Sequence, residues 1–200
     1  MDLNQFDLVA PFYDALSRLV FGDQIVKSQT HFLHQVQKDD QVLILGGGTG
    51  QILEAIPACS KIFYLDKSRK MIKLARRRSS SSDIEFLNKD FFDLELPIQF
   101  DKIICPFFLD CFSGTNLSLA ISKIESLLAD KGVLIVTDFE DKNMSKFLDK
   151  VMHTFFKVTS KLESNSLKPI DQFIHESGFE KLQEKFFHRN MIFSRVYRNL

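Results

Sequence analysis

The chain has no tryptophan, only three cysteines and five prolines, and no excess charge of either sign. Each shortage excludes something. Cys59, Cys105 and Cys111 are widely spaced and form no CxxC pair. That argues against a zinc site and a disulfide framework, and for reduced thiols in the cytoplasm; no metal is expected. Lysine plus arginine (26) equals aspartate plus glutamate (26), so no global field gathers nucleic acid. No apolar run approaches the roughly 20 residues of a membrane span. The first residues carry Asp2 and Asp7 with no basic stretch before an apolar core, which is not the pattern of a signal peptide. Two hundred residues, 44% of them hydrophobic, suffice for one domain with a real core.

Phenylalanine is plentiful: 21 residues, with doublets at Phe91–Phe92, Phe107–Phe108, Phe155–Phe156 and Phe186–Phe187. Buried rings supply large contact area, so core filling explains most of them. Some could line an apolar pocket.

Gln41 to Gly50, QVLILGGGTG, organises the chain. Val42 to Leu45 read as a strand buried on both faces. Gly46, Gly47, Gly48 and Gly50 allow a sharp turn and close approach of a ligand. Gln51 to Ala55 read as the first turns of a helix, whose free N–H groups would complete a nucleotide cradle. Residues 4–37 have helical spacing, with Pro11 expected to kink or start the first helix and Asp23 to cap a second. Further strands are predicted at 61–65, 84–87, 100–105 and 133–136. The fourth is expected to stop at Pro106, and Asp130–Gly132 to form a turn. Helices follow Ser68 and cover 117–128. Beyond 139, spacing predicts an amphipathic helix at 145–159, a polar stretch at 161–168 and a short helix at 170–177 capped by Gly178. Strands at 179–187 and 191–197 then flank a tight turn at His188–Asn190. The alternation implies an open, mostly parallel α/β sheet ending in one reversed strand. Gly46–Gly50, Asp66, Asp90 and Cys105–Pro106 all fall at strand C-terminal ends, where such sheets bind ligands.

Asp66 stands 20 residues after Gly46, placed to accept hydrogen bonds from ribose hydroxyls. Both NAD and S-adenosylmethionine sheets share that feature. Here Gln51 replaces the third glycine of the dinucleotide fingerprint, Asp90 is placed for the adenine amino group, and the reversed strand does not suit the NAD fold.

VLILGGGTG (42–50), LDKSRKMIKLA (65–75), NKDFFDLELPIQFDKII (88–104), KGVLIVTDF (131–139) and ESGFEKL (176–182) together resemble the class I S-adenosylmethionine-dependent methyltransferases. They are closest in style to small-molecule enzymes related to quinone biosynthesis. The resemblance implies a three-layer Rossmann-like sheet of seven strands, order 3-2-1-4-5-7-6, with strand 7 antiparallel. It divides residues 1–200 into an N-terminal helical cover (1–38), a cofactor-binding core (39–138) and a helical insertion with a C-terminal hairpin (139–200). Carried over by position, Gly46, Gly48 and Gly50 make room for the methionine and ribose portion, and Asp66 holds the ribose. Lys67 and Met71 flank the adenine, while Asp90 and the Phe91 backbone read its edge. Cys105 and Pro106 line the methionyl end, which Tyr13, in the segment Ala10–Asp14, reaches from the N-terminal helix. Ile44 stands where many members carry an acid that supports the glycine loop, and Gly47 where cysteine or serine is commoner.

Methyl transfer from a sulfonium is an in-line displacement, so placement and exclusion of water dominate. Asp110, just past the fourth strand, is the candidate general base where the acceptor must lose a proton; a helix cap or surface carboxylate is the plainer reading. None of the histidines forms a catalytic constellation. The basic stretch Lys67, Arg69, Lys70, Lys73, Arg76, Arg77 and Arg78 lacks interleaved aromatics and reads as a solvated helix face rather than a nucleic-acid site. Phe12, Tyr13, Phe107, Phe108, Phe112, Phe139, Phe147, Phe155 and Phe156 suggest a small apolar or aromatic acceptor. Two other readings stand beside this one: a sensor or scaffold that binds the nucleotide without transferring methyl, and an NAD-dependent oxidoreductase.

Overall fold

The computed structural model describes residues 6–78, 80–112, 114–140 and 170–199. The expected helix at 145–159 and the polar stretch at 161–168 lie outside the described residues, and with them Phe147, His153, Phe155 and Phe156. Seven strands are present: β1 (Gln41–Leu45), β2 (Lys61–Leu65), β3 (Asp83–Leu87), β4 (Phe100–Pro106), β5 (Leu128–Phe139), β6 (Phe179–Phe187) and β7 (Ile192–Asn199). They form one sheet in the order β3-β2-β1-β4-β5-β7-β6. All pairs are parallel except those of β7, which runs against both β5 and β6. The helices are α1 (Phe6–Phe21), α2 (Gln24–Thr30), α3 (Arg69–Ala75), α4 (Gly114–Leu127) and α5 (Ile170–Glu176).

The apolar run of β1 supplies both faces at once, because successive side chains alternate. Leu43 and Leu45 join Ile103, Cys105, Leu134, Val136 and the α4 residues Leu117, Ile121 and Ile124 in one core. Val42 and Ile44 join Ile62, Tyr64, Ile104, Ile135 and Ile72 in the other. A third, smaller cluster of Phe21, Ile25, Phe139 and Ile192 seals the end where α1 meets β5 and β7.

Several local expectations are corrected. Gln51–Glu54 is a single 3-10 turn, not the start of an α-helix; Pro57 follows too soon for a longer one. Helix α1 runs through Pro11 rather than starting there. Asp23 sits at the N-cap of α2 without a side-chain capping bond, whereas Ser68 does cap α3, accepting from Met71 N at 3.1 Å. Strand β4 includes Pro106, opposite Thr137; the chain turns one residue later, at Phe107, whose φ of 53° lies in the left-handed region. The Asp130–Gly132 turn is absorbed into β5 as an irregularity against Phe100 and Lys102, with Lys131 at φ 64°. Gly178, at φ 86°, ends α5 as expected.

On the sheet's far side Arg195 of β7 is only 5% exposed. It donates to Glu140 at 2.6 Å and to Glu184, and its guanidinium lies 3.9 Å from the centroid of the Phe193 ring. Replacing it removes the guanidinium that joins the two carboxylates and leaves Lys181, 3.1 Å from Glu184, as the cation beside them. Arg195→Met should cost about 2–3 kcal/mol, somewhat below a fully buried pair because both acids are partly wet. Urea denaturation measures it; a loss under about 0.5 kcal/mol contradicts the account.

Candidate active site

At the C-terminal edge, β1 opens into the glycine loop, which β2 holds. Gly46 N donates to Leu65 O at 2.9 Å. Gly48 is clamped on both sides. Its N–H donates to Asp66 Oδ2 at 2.8 Å, and its carbonyl accepts from the Tyr64 hydroxyl at 3.1 Å. The other Asp66 oxygen accepts from Ser68 N at 2.7 Å. Tyr64 lies opposite Ile44 in register. The support expected from an acid at position 44 therefore comes from the neighbouring strand, and Ile44 is free to fill the core, fully buried.

The glycines divide by task. A Cβ on Gly47 would lie 2.2 Å from the Tyr64 ring, and one on Gly46 2.6 Å from Phe108. A Cβ on Gly50 would strike Ala75 of α3 at 2.8 Å, so this glycine permits helix packing. At Gly48, with φ 62°, an added Cβ meets nothing within 4 Å: this is the open part of the cradle.

Toward β3, Lys67 pairs with Asp90 at 2.7 Å, and Phe92 N donates to the second Asp90 oxygen at 3.0 Å. Partial burial opposes ionisation of Asp90, but Lys67 and the Phe92 N–H outweigh it and hold the carboxyl below its ordinary value. Met71 and Phe91 are buried. The Phe91 ring meets Phe108 edge-on at 5.4 Å, which makes an aromatic wall beside Gly46. Of the seven basic residues counted on this stretch, Lys67 is paired, Arg76 lies over the Phe86 ring and Arg78 turns inward.

Toward β5, Cys105 and Pro106 are buried, Cys105 packing in the α4-side core. Phe107 and Phe139 rings lie 4.9 Å apart. Asp138, fully buried at the β5 exit, accepts from Leu109 N at 3.1 Å and Asp110 N at 3.2 Å on one oxygen, and from Phe139 N at 3.0 Å on the other. Burial, and then the charge of Asp110, push the Asp138 carboxyl well above its ordinary range. Burial raises Asp110 itself from 3.8 to about 6. The Tyr13 phenol is also raised, by burial first and then by Asp110, Cys111, Asp14 and Asp66, so it remains a neutral O–H. Those neighbours place Tyr13 of α1 over the same edge.

Helix α1 is latched there. Asp14 accepts from Thr49 Oγ1 at 2.6 Å and from Arg78 Nη2 at 2.7 Å, while Arg78 Nη1 reaches Glu54 at 2.7 Å. Glycine loop, α1 and the end of α3 thus share one charged knot. The sequence reading missed Tyr64, Thr49, Arg78 and Asp138 as site residues. Two signals were present: a hydroxyl inside the apolar strand KIFYL, and an acid at the C-terminal end of the fifth strand, in IVTDF.

A family model described as a methyltransferase domain matches residues 36–186. The chain belongs to this methyltransferase family. No curated protein matches it in sequence. Its fold is shared by the N-methyltransferase NodS from Bradyrhizobium japonicum WM9 in complex with S-adenosyl-L-homocysteine, at 15% identity and TM-score 0.66 over 98% of each chain. It is shared equally by magnesium protoporphyrin IX methyltransferase from Synechocystis PCC 6803, also with bound S-adenosyl-L-homocysteine, at 15% identity and TM-score 0.65 over 98% of this chain and all of that one. The protein is thus a class I methyltransferase that uses S-adenosylmethionine. Its open Gly48, flanked by strand-end carboxylates, suits that nucleotide. Among the described residues of the methyltransferase, no helix is long and apolar enough to cross a membrane, and no cluster of His, Cys, Asp and Glu could hold a metal ion.

Gly47→Ala should cost the methyltransferase about 1–3 kcal/mol through overpacking against Tyr64. In a Tyr64→Leu background the same change should cost clearly less, and additive losses in thermal melts would contradict the contact. For Asp110 the sign follows from its raised value: the folded state holds the proton more tightly than the unfolded chain. The stability this contributes is present below 3.8 and is lost as pH rises through about 6. Asp110→Asn should therefore melt progressively higher than wild type as pH is raised across that window; a constant difference would show that the shift is absent.

Proposed function

We propose that this methyltransferase transfers the methyl group to a small, apolar or aromatic acceptor held between the glycine loop and the β4 and β5 exits. The observation that carries this reading is the pair of aromatic clusters at the β4 exit, Phe108 with Phe91 and Phe112 in one and Phe107 with Phe139 in the other, with Asp110 on the same turn as Phe107, Phe108 and Phe112. One structural relative is named for magnesium protoporphyrin IX, a planar aromatic molecule.

When bound, S-adenosylmethionine supplies a methyl group on a sulfonium, already activated for displacement. Asp66 would hold its ribose. An ionised carboxylate accepts at about four positions, so oxygens oriented by backbone N–H groups can also take hydroxyls. Asp90 and the Phe91 backbone would read the adenine edge, with Lys67 and Met71 flanking it. Gly46 and Gly48 keep the loop low, Gly50 lets α3 pack behind it, Cys105 and Pro106 form the floor at the methionyl end, and Tyr13 closes that end as a neutral donor. For an acceptor that carries a proton on its reacting atom, Asp110 would take it, its raised value being close to neutral pH.

The acceptor class is tested by release of S-adenosylhomocysteine across phenols, quinols, planar aromatic amines, short peptides and RNA. Turnover on peptides or RNA alone would refute it. For the cofactor site, Asp66→Ala should lose about 1.5–3 kcal/mol of nucleotide affinity in calorimetry. Gly48→Val should abolish binding while far-UV circular dichroism stays native. Unchanged affinity in Asp66→Ala would remove that residue from the site.

A further inference from the structure

The exits of β3, β2, β1, β4 and β5 stand side by side along the sheet edge and carry Asp90, Asp66, the glycine loop, Asp110 and Asp138 in that order. Adjacent strands are about 4.8 Å apart. An adenine at Asp90 and a ribose at Asp66, the placement proposed above on which this inference rests, direct the rest of the nucleotide across β1 toward β4. The atom that follows the ribose is the sulfonium sulfur. It therefore falls on the β1–β4 side, where Phe108 covers Gly46 and Asp110 stands two residues further on.

Two built features fix Asp110 there. Phe107 turns the chain in the left-handed region, its N–H donating to Thr137 O at 2.7 Å. Asp138, fully buried, spends one oxygen on the N–H groups of Leu109 and Asp110. A parallel sheet does not require a buried aspartate at the end of β5, and a buried acid is costly. Its effect here is to set the backbone that carries Asp110.

We propose that Asp110 is a charge-discriminating residue, favouring the cationic methyl donor over its neutral demethylated product, and that Asp138 is its positioning residue. The titratable groups that act on the pair or are acted on by it are Tyr13 of α1, Cys111 of the same turn and Cys105 of β4, with Asp14 and Asp66 acting on the same Tyr13. None of these carries a positive charge, so the sulfonium would be the cation of this group. Burial delays ionisation of Asp110 to about 6. Below that pH the sulfonium meets a neutral acid, and above it a carboxylate. By linkage, binding the cation lowers the proton affinity of the carboxyl, so donor binding releases a proton near this pH and product binding does not. The two nucleotides share adenosine, amino and carboxylate groups and differ by the methyl and its charge. Their affinity ratio thus isolates the effect.

The experiment is calorimetric titration of the full chain with S-adenosylmethionine and S-adenosylhomocysteine at about pH 5 and 7.5, in two buffers of different ionisation enthalpy. The donor-to-product affinity ratio of the wild type should rise about five- to tenfold between the two, with proton release on donor binding only. Asp110→Asn should hold that ratio flat while keeping product affinity within about twofold. Asp138→Asn, which keeps an acceptor oxygen, should retain the rise; Asp138→Leu, if folded by circular dichroism, should lose it with Asp110 still present. A wild-type ratio independent of pH, or an Asp110→Asn variant that loses both nucleotides alike, overturns the proposal. Failure of the wild type to bind either nucleotide overturns the adenosine placement along with it, and is a different result from product binding with a flat ratio.

Discussion

Gly48 is held through both of its flanking peptides, its N–H by the Asp66 carboxylate and its carbonyl by the Tyr64 hydroxyl. Both holders sit at the end of β2, and the rest of the site is arranged around this clamp. A loop with four glycines loses more backbone freedom on ordering than any other composition. Two hydrogen bonds to charged or buried partners offset part of that loss. The same carboxylate fixes Ser68 N, which starts α3, and the turn after α3 brings Arg78 to the Thr49 carbonyl of the loop from the other side. Loop, strand end and helix are therefore mutually dependent, and Gly47 has no side chain because the Tyr64 ring takes its place.

On the β4 side the restraint is different in kind. There the chain is bent by a non-glycine residue in the left-handed region and steadied by a buried acid from the adjacent strand. Positive φ for a phenylalanine is unfavourable by about 1–3 kcal/mol and persists only where surroundings over-determine it. The tilted contact of the Phe107 and Phe139 rings and the Phe107 N–H bond to Thr137 supply that surrounding. The result is an apolar exit with one half-buried carboxyl, unlike the wetter, lysine-paired acid at the β3 exit.

The sheet was legible in the sequence because parallel strands buried on both faces leave continuous apolar runs, each ended by a glycine, an acid or a proline. The runs at 42–45, 61–65 and 133–136 all became strands, and the terminal hairpin announced the reversed strand. The acids Asp66 and Asp90 were legible as strand-end carboxylates. Less visible was anything decided by neighbours in space. That Tyr64 would replace an acid at position 44 depends on the register of β1 with β2. That Gly50 serves helix packing depends on where Ala75 arrives. The 3-10 turn after the loop reads as a helix because Ile52 and Leu53 stand at helical spacing from Ile56, while Pro57 limits the length. Asp138 lies two residues past the apolar run at 133–136, and its reach to the Leu109 and Asp110 amides crosses from β5 to the β4 exit.

Asp14 belongs to α1, yet its carboxylate is bonded to Thr49 of the glycine loop and to Arg78. The seat of α1 and the shape of the nucleotide cradle are thereby one equilibrium rather than two. Linkage makes the relation reciprocal. By whatever factor a seated α1 tightens the hold on the nucleotide, the bound nucleotide tightens the seating of α1 by the same factor. The N-terminal helix is then a second ligand of the site that happens to be covalently attached.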